Sequence, residues 1–456
     1  LLIMSEHIRL KRGLDIPISG EASQKITKTV VSDVIAIKPT DFKALTPKLT
    51  VKEGEEVKAG QPLFVDKKRP EIRFCSPVSG VVSEIVRGDR RKLLEVRVKA
   101  DAETGYVNFA ASKFQQLKKG EITAQMLERG LWPLIKQRPY GIIANPEDTP
   151  KAIFISGMNT APLAADWNFV LQNEFSNLQA GIEVLSKLTN GGIHLSLATK
   201  GFASGELHRL NGVILHSFEG KHPAGNVGIQ INSISPINKG EIVWTVDPLS
   251  LAIIGRSFNK NIYDASRIVA VTGPKAVNPS YVKTIQGVCM SSLKEYFGTS
   301  KLGIRVVSGN VLTGTNIGEN GFLGFYDNQV TVLEEGNYSE MFGWCKPFRL
   351  KKFSFSHSYW SWLGCGKKKY NMDTNLNGGI RAFVVSDVYG KVLPMDIYPV
   401  YLFKACLAKD IEKMENLGIY EVIEEDVALC EYVCPSKIEI QKIISDGIDL
   451  MLKEMA

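Results

Sequence analysis

The stretch that most constrains this fold is residues 152–166, AIFISGMNTAPLAAD. Ala152, Ile153, Phe154 and Ile155 make a short apolar run that reads as a strand. Ser156, Gly157, Asn159 and Thr160 break that run, and Pro162 closes the loop. Trp167, Phe169, Val170, Leu171 and Phe175 then set a helical pattern, so a helix is predicted over 167–188. A strand that opens into a loop of small residues before a helix is how an open α/β sheet presents a ligand crevice. Further strands are predicted over 193–197 and 212–215, which makes residues 151–258 an α/β unit. The third strand runs into 216–228, HSFEGKHPAGNVG, where two histidines, a proline and three glycines make a constrained polar loop. No Cys, Asp or His stands at a spacing that would complete a zinc site with His216 and His222, so no metal is expected.

The rest of the chain reads as several modules. A length of 456 residues suggests about three domains, with four possible. The first hundred residues alternate short β-rich runs with glycine and charge, the spacing of a small barrel or sandwich. Residues 104–150 form a connector with helical patterns near 112–117 and 123–127. Residues 259–335 place short strands and glycine turns around one helix near 290–297. Residues 336–456 mix an aromatic run at 353–362 with amphipathic helices over 399–417 and 438–453, the latter with Ile440, Ile443, Ile444, Ile448 and Leu452 on one face.

Charge and cysteine usage exclude several classes. Residues 1–140 carry 26 Lys or Arg against 17 Asp or Glu, while the remainder carries 29 against 31. The basic third suits an acidic partner or anionic headgroups, but no nucleic-acid-binding signature accompanies it. Seven cysteines, an odd number in a large chain, do not form a disulfide framework. No apolar run reaches the roughly 20 residues that span a bilayer, and the first residues lack the apolar core of a signal peptide. A soluble, cytoplasmic chain is expected.

Two resemblances follow from particular motifs. VKEGEEVKAGQPLFVD (51–66) followed by SPVSGVVSEI (76–85) resembles the two halves of a biotinyl/lipoyl carrier domain. There a lysine at the hairpin tip carries the cofactor, and Lys67 and Lys68 stand near that position. The methionine-flanked lysine of biotin carriers is absent, so a structural module is expected. Further on, GLWPLIKQRPY (130–140), FISGMNTAPLAAD (154–166) and HSFEGKHPAGNVGIQI (216–231) together resemble the NqrA family of sodium-translocating NADH:quinone oxidoreductases (Na+-NQR). That family is similar in turn to the C subunit of the Rnf complex and to the NADH-binding flavoprotein subunit of complex I. The resemblance implies a biotinyl/lipoyl-like barrel-sandwich module at 1–103 and a connector plus Rossmann-like α/β domain at 104–258. A β-grasp domain of the soluble-ligand-binding (SLBB-like) type is implied at 259–335, and a mainly helical domain at 336–456.

The departures from the flavin- and cluster-binding relatives carry the functional expectation. Those relatives lead into the strand with a glycine-rich segment whose N–H groups approach the flavin phosphate, and close approach needs glycine. Here Gly130 is followed by Leu131 and Trp132. Their Asn and two acids before the proline are represented only by Asn159 and Pro162. Their C-x2-C-x2-C-x3-C-P run, projected back from Cys430 and Cys434, falls on Val427 and Glu424, so two of four thiolates are missing. The pair Cys430 and Cys434 is expected to pack as small apolar residues.

The resemblance therefore implies a peripheral subunit on the cytoplasmic face of the bacterial inner membrane. Its complex would couple NADH oxidation and quinone reduction to sodium export. No cofactor is expected in this chain; flavins, a 2Fe-2S centre and NADH would belong to partner subunits. The isolated chain is not expected to be catalytic. It would dock on the other subunits, above all the membrane subunit, to brace or contribute to the quinone site. The crevice residues Ser156, Gly157, Asn159, His216 and His222 are the candidate contacts to a quinone head group, since histidine and asparagine donors suit its carbonyls. The opposing reading is a collapsed crevice filled by Leu131 and Trp132. Two further readings stay open: an NADH dehydrogenase flavoprotein that keeps its FMN, and a purely structural scaffold.

Overall fold

In the computed structural model the strand Ile153–Ser156 is the central strand of a seven-stranded sheet. The structure describes residues 3–338, 340–343, 346, 348–357, 360–363, 368–384 and 386–454. Cys345, Cys365 and two residues of the aromatic run, Ser358 and Tyr359, lie outside the described residues, as does the side chain of Trp362.

The central strand pairs in parallel with Ile193–Ala198 on one side and Val243–Thr245 on the other. Ile214–Glu219 lies beyond Ile193–Ala198, also parallel. The edge strand beside it is Ile3–Arg9, from the very start of the described chain. On the opposite edge the hairpin of Lys136–Arg138 and Ile142–Ile143 joins antiparallel to Val243–Thr245. Paired residues of a parallel sheet face the same side. Ile153, Ile155, Ile193, Leu195 and Leu215 therefore share one face and are buried in the main apolar core with the helices Phe175–Ser186 and Pro248–Lys260. Those two helices cross closely: a Cβ on Gly255 would lie 1.7 Å from the carbonyl oxygen of Asn177. Phe154 and Ser156 point to the other face, under the helix Val227–Ile234.

The helix predicted over 167–188 is two helices, Trp167–Val170 and Phe175–Ser186. Asn173 between them adopts φ 67°, which ends a right-handed helix. Glu174 then holds Arg256 through two hydrogen bonds of 2.6 and 3.1 Å.

The N-terminal module packs a four-stranded sheet against a three-stranded one. Its buried residues include Ile35, Leu63, Phe64, Phe74, Val82, Val96 and Val98. Lys67 and Lys68 are exposed at the turn between Pro62–Asp66 and Arg73–Cys75, where Asp66 Oδ1 accepts the Lys68 backbone N–H at 3.0 Å. The sequence module begins at residue 1, yet its first two strands pair elsewhere. Ile3–Arg9 completes the α/β sheet, and Ser23–Thr29 joins Ser280–Ile285 in a mixed six-stranded sheet. That third sheet also holds Ser266–Thr272, Ile304–Ser308, Thr315–Asn316 and Gln329–Glu334.

The C-terminal part is helical only from Pro399 onward; the described residues between 340 and 398 form loops and short 3-10 turns. Ile440, Ile443, Ile444 and Ile448 are buried as the periodicity predicts, and Met451 takes the inner position next to half-buried Leu452. The helix predicted over 399–417 breaks into Pro399–Ala408 and Ile411–Asn416 at Lys409, whose φ is 56°. Among the described residues no helix is long and apolar enough to cross a membrane.

Candidate functional site

The crevice at the carboxyl end of Ile153–Ser156 is bridged by its own two loops. Ser156 Oγ lies 2.9 Å from Met158 O and 2.8 Å from Gly225 O, and accepts an N–H of Gln230 at 2.8 Å. Gln230 also donates to Ala224 O at 3.1 Å. The Gly225 backbone N–H donates to Thr160 Oγ1 at 2.9 Å, and that hydroxyl sits 3.2 Å from His222 Nδ1. This set is satisfied when the Thr160 hydroxyl donates to a neutral imidazole that carries its proton on Nε2. Burial pushes His222 down to about 4, which favours that neutral form. The His222 backbone is held as well: its N–H donates to Asp15 Oδ1 at 2.9 Å and its carbonyl accepts the Leu14 N–H at 2.8 Å.

Two glycines permit the close approach of these loops. A Cβ on Gly157 would meet Leu197 Cδ2 at 2.5 Å, and one on Gly225 would meet the Thr160 nitrogen at 2.6 Å. Ser156, Gly157 and His222 are thus brought into one neighbourhood, together with Thr160, Gly225 and Gln230. Asn159 is exposed on the loop and accepts the Ala161 N–H at 3.1 Å.

His216 belongs to a second cluster on the same face of the sheet. Its Nε2 lies 2.9 Å from His194 Nδ1. The two rings stack at 5.1 Å between centroids, and His194 stacks on Phe154 at 4.7 Å. Burial, then the neighbouring His216, lowers His194 to about 4; burial lowers His216 too. A nitrogen–nitrogen hydrogen bond between two imidazoles needs one donor and one acceptor, so a neutral pair fits it. Among the described residues no group of three or more His, Cys, Asp or Glu could hold a metal ion.

The bulky segment 130–135 packs elsewhere. Leu131 and Trp132 are fully buried in the main core. Trp132 Nε1 donates to Ala144 O at 2.8 Å, and its ring meets Trp244 edge-to-face at 5.6 Å. The crevice is lined and bridged by Thr160, His222, Gly225 and Gln230, not by the Leu131 and Trp132 of the opposing reading. Gly130, the glycine left in that segment, packs against sulfur: a Cβ there would lie 2.3 Å from Cys75 Sγ.

At the other end of the same motif, Arg138 ties the α/β sheet to the C-terminal helices. It is 2% exposed and donates to Asp426 Oδ2 and Glu425 Oε1, each at 2.5 Å. Gly228 leaves room for this pair, since a Cβ there would come within 2.5 Å of Asp426 Oδ1. The helix Glu424–Val433 and the residue after it carry the remnant of the cysteine motif. Glu424 pairs with Lys43, Val427 is buried, and Cys430 and Cys434 pack in the C-terminal core. Cys434 Sγ lies 3.1 Å from Tyr389 Oη, and burial pushes the Cys430 thiol up.

The described residues also line two neighbouring clefts that share Thr40 and Phe42. One, of about 500 Å³, lies along residues 39–49 and 87–93. The other, of about 440 Å³, is lined from four parts of the chain: Phe42 and Lys43, Lys136 and Ile143, Thr313 and Tyr326, and Glu424 and Gln441. There the Lys136 ammonium rests 3.6 Å from the centre of the Tyr326 ring, while the Tyr326 hydroxyl donates to Pro133 O at 2.7 Å.

Known proteins share this order of modules. Residues 8–101 match the N-terminal barrel-sandwich hybrid domain of NqrA, residues 117–262 its second alpha/beta domain, and residues 268–318 its C-terminal domain. The A subunit of the Na(+)-translocating NADH-quinone reductase of Yersinia pestis bv. Antiqua (strain Angola) is 36% identical over 96% of this chain and 98% of its own length. The corresponding protein of Vibrio vulnificus (strain YJ016) is 36% identical over 98% of this chain and 100% of its own. This chain belongs to the NqrA family of Na(+)-translocating NADH-quinone reductases. The family's barrel-sandwich, α/β and SLBB-like domains fall on the three sheet-bearing parts in order. Among solved structures, an NAD+-reducing [NiFe]-hydrogenase in the air-oxidized state aligns over 67% of this chain and 55% of its own, at 12% identity and a TM-score of 0.34.

His194, Gln230 and Asp15 join the predicted residues without having been singled out in the sequence, and Thr160, read there only as a turn residue, becomes a hydrogen-bond partner. His194 and Phe154 are paired in register, and only the pairing brings their rings together. Arg138 and Asp426, 288 positions apart, carried no local signal at all.

Proposed function

We propose that this chain is a peripheral component of a sodium-translocating NADH:quinone reductase, on the cytoplasmic face, and that it braces or contributes to the quinone site. Membership of the NqrA family over nearly the full chain is the observation that carries this reading. The other subunits of that complex are its partners, and its catalytic steps belong to the assembled complex. The chain holds no flavin or iron–sulfur cluster of its own. Gly130 packed on Cys75 and the missing thiolate positions at Glu424 and Val427 support that.

Within the chain the crevice and the cleft divide the work. The hydroxyl, amide and imidazole groups of Ser156, Thr160, His222 and Gln230 are engaged with one another, which supports a bracing role for the crevice. A head group fits better in the cleft of about 440 Å³ between Phe42, Lys136 and Tyr326, which falls within the usual size of ligand pockets. Phe42 and Tyr326 offer apolar surface for a flat ring, and the Lys136 ammonium offers a donor to a carbonyl. The test is a titration of the purified chain with a water-soluble quinone, followed by tryptophan fluorescence. A saturable change that Lys136→Met weakens and Asn159→Ala leaves alone supports this reading. A saturable change lost only in Asn159→Ala returns the site to the crevice, and no saturable change removes quinone binding from the isolated chain.

A further inference from the structure

Residues 341–384 carry six lysines and two arginines against a single acid, Asp373. The rest of 336–456 has the opposite balance, seven cations against fifteen acids. The same segment exposes large apolar side chains: Met341 is 80% exposed, Phe348 72%, Leu363 63% and Leu350 50%. Apolar and cationic side chains meet around Phe348. Phe348 packs edge-to-face on the exposed ring of Trp360 at 4.8 Å. The Leu350 backbone N–H donates to Phe348 O at 2.8 Å, and Leu350 O accepts from the ammonium of exposed Lys368. Exposed Lys351 follows directly in the chain.

Large apolar side chains exposed side by side mark an interaction surface, and the charge decides which kind. Protein–protein interfaces are enriched in aromatics, Met and Arg but depleted in Lys. Here lysine outnumbers arginine three to one. Lysine interleaved with Trp, Phe and Leu is the chemistry of a surface that rests on anionic lipid. The rings and aliphatic groups enter the headgroup region, and the ammonium groups meet phosphate. We propose that the surface around Phe348, Leu350, Lys351, Trp360 and Lys368 contacts an anionic phospholipid bilayer directly. It would orient the chain on the membrane independently of its contacts with other subunits.

The test is flotation of the purified full chain with vesicles of phosphatidylcholine alone or of phosphatidylcholine with phosphatidylglycerol. The surface predicts binding to the anionic vesicles only, with a blue shift of tryptophan emission and loss of binding in high salt. Lys351→Glu with Lys368→Glu should lower the partitioning at least about tenfold, given roughly 1 kcal/mol per cation near the surface. Phe348→Ser with Trp360→Ser should lower it as well, with far-ultraviolet circular dichroism melts unchanged. Lys67→Glu with Lys68→Glu, in the N-terminal module, should leave it unchanged. No binding, equal binding to both vesicles, or equal loss in the Lys67/Lys68 variant overturns the proposal. So does a patch variant that floats normally but no longer binds the detergent-solubilised membrane subunits, because the surface is then a protein contact.

Discussion

His222 shows how the crevice residues act. It is 3% exposed, and burial holds it at about 4 against an ordinary value of 6.5. The unfolded chain therefore binds a proton at a pH where the folded chain does not. Stability is full above the unfolded value and falls as the pH drops from about 6.5 toward 4. For His222 alone this predicts a loss of about 2 kcal/mol between pH 7.5 and pH 5, measured by urea denaturation. His194 and His216 are shifted the same way and add to the fall. His222→Asn keeps a short acceptor near Thr160 but removes the titration, so its pH profile should be flatter by that share. A profile as steep as that of the unaltered chain would remove His222 from this role. The loop was legible in the sequence as a constrained polar segment, because it holds two histidines, a proline and three glycines in thirteen residues. The partners of His222 were not legible: Thr160 and Asp15 reach it from loops 62 and 207 positions away.

At the scale of elements, the strands Ile153–Ser156, Ile193–Ala198 and Ile214–Glu219 and the helices Pro399–Ala408 and Ile440–Glu454 were readable from apolar periodicity, whereas the short strand Val243–Thr245 and the helix Glu424–Val433 were not. Boundaries moved by a few residues where left-handed positions such as Asn173 and Lys409 cut a helix. The destination of the first strand was not readable. Ile3–Arg9 has β character in either module, and only the open edge at Ile214–Glu219 decides where it pairs. The joint between Lys136–Arg138 and the helix Glu424–Val433 was equally hidden, yet it is strongly built. Arg138→Met leaves Asp426 buried without its guanidinium, which should cost about 3–5 kcal/mol. Arg138→Met combined with Asp426→Leu removes both charges and should recover most of that loss in the same denaturant titration. If the double variant is no more stable than the single one, the two residues do not act as a pair.

At the scale of the whole molecule, the order of modules was legible because each motif lies within one module. The two clefts were not, because their walls come from distant parts of the chain: Phe42 and Thr313 reach the same opening only in the folded state. Around the strand Ile153–Ser156 and the C-terminal helices, glycines and acids that the sequence motifs singled out are packed against the chain's own side chains. Gly157 admits Leu197 and Leu207, Gly130 admits Cys75, and Glu424 binds Lys43. The function proposed for this chain, support of electron transfer carried out by other subunits, makes a direct prediction about flavin. Its most direct test is the visible spectrum of the purified, dialysed chain after it has been mixed with excess FMN. The account predicts no absorbance in the flavin bands after dialysis; retention of an equimolar flavin would contradict it.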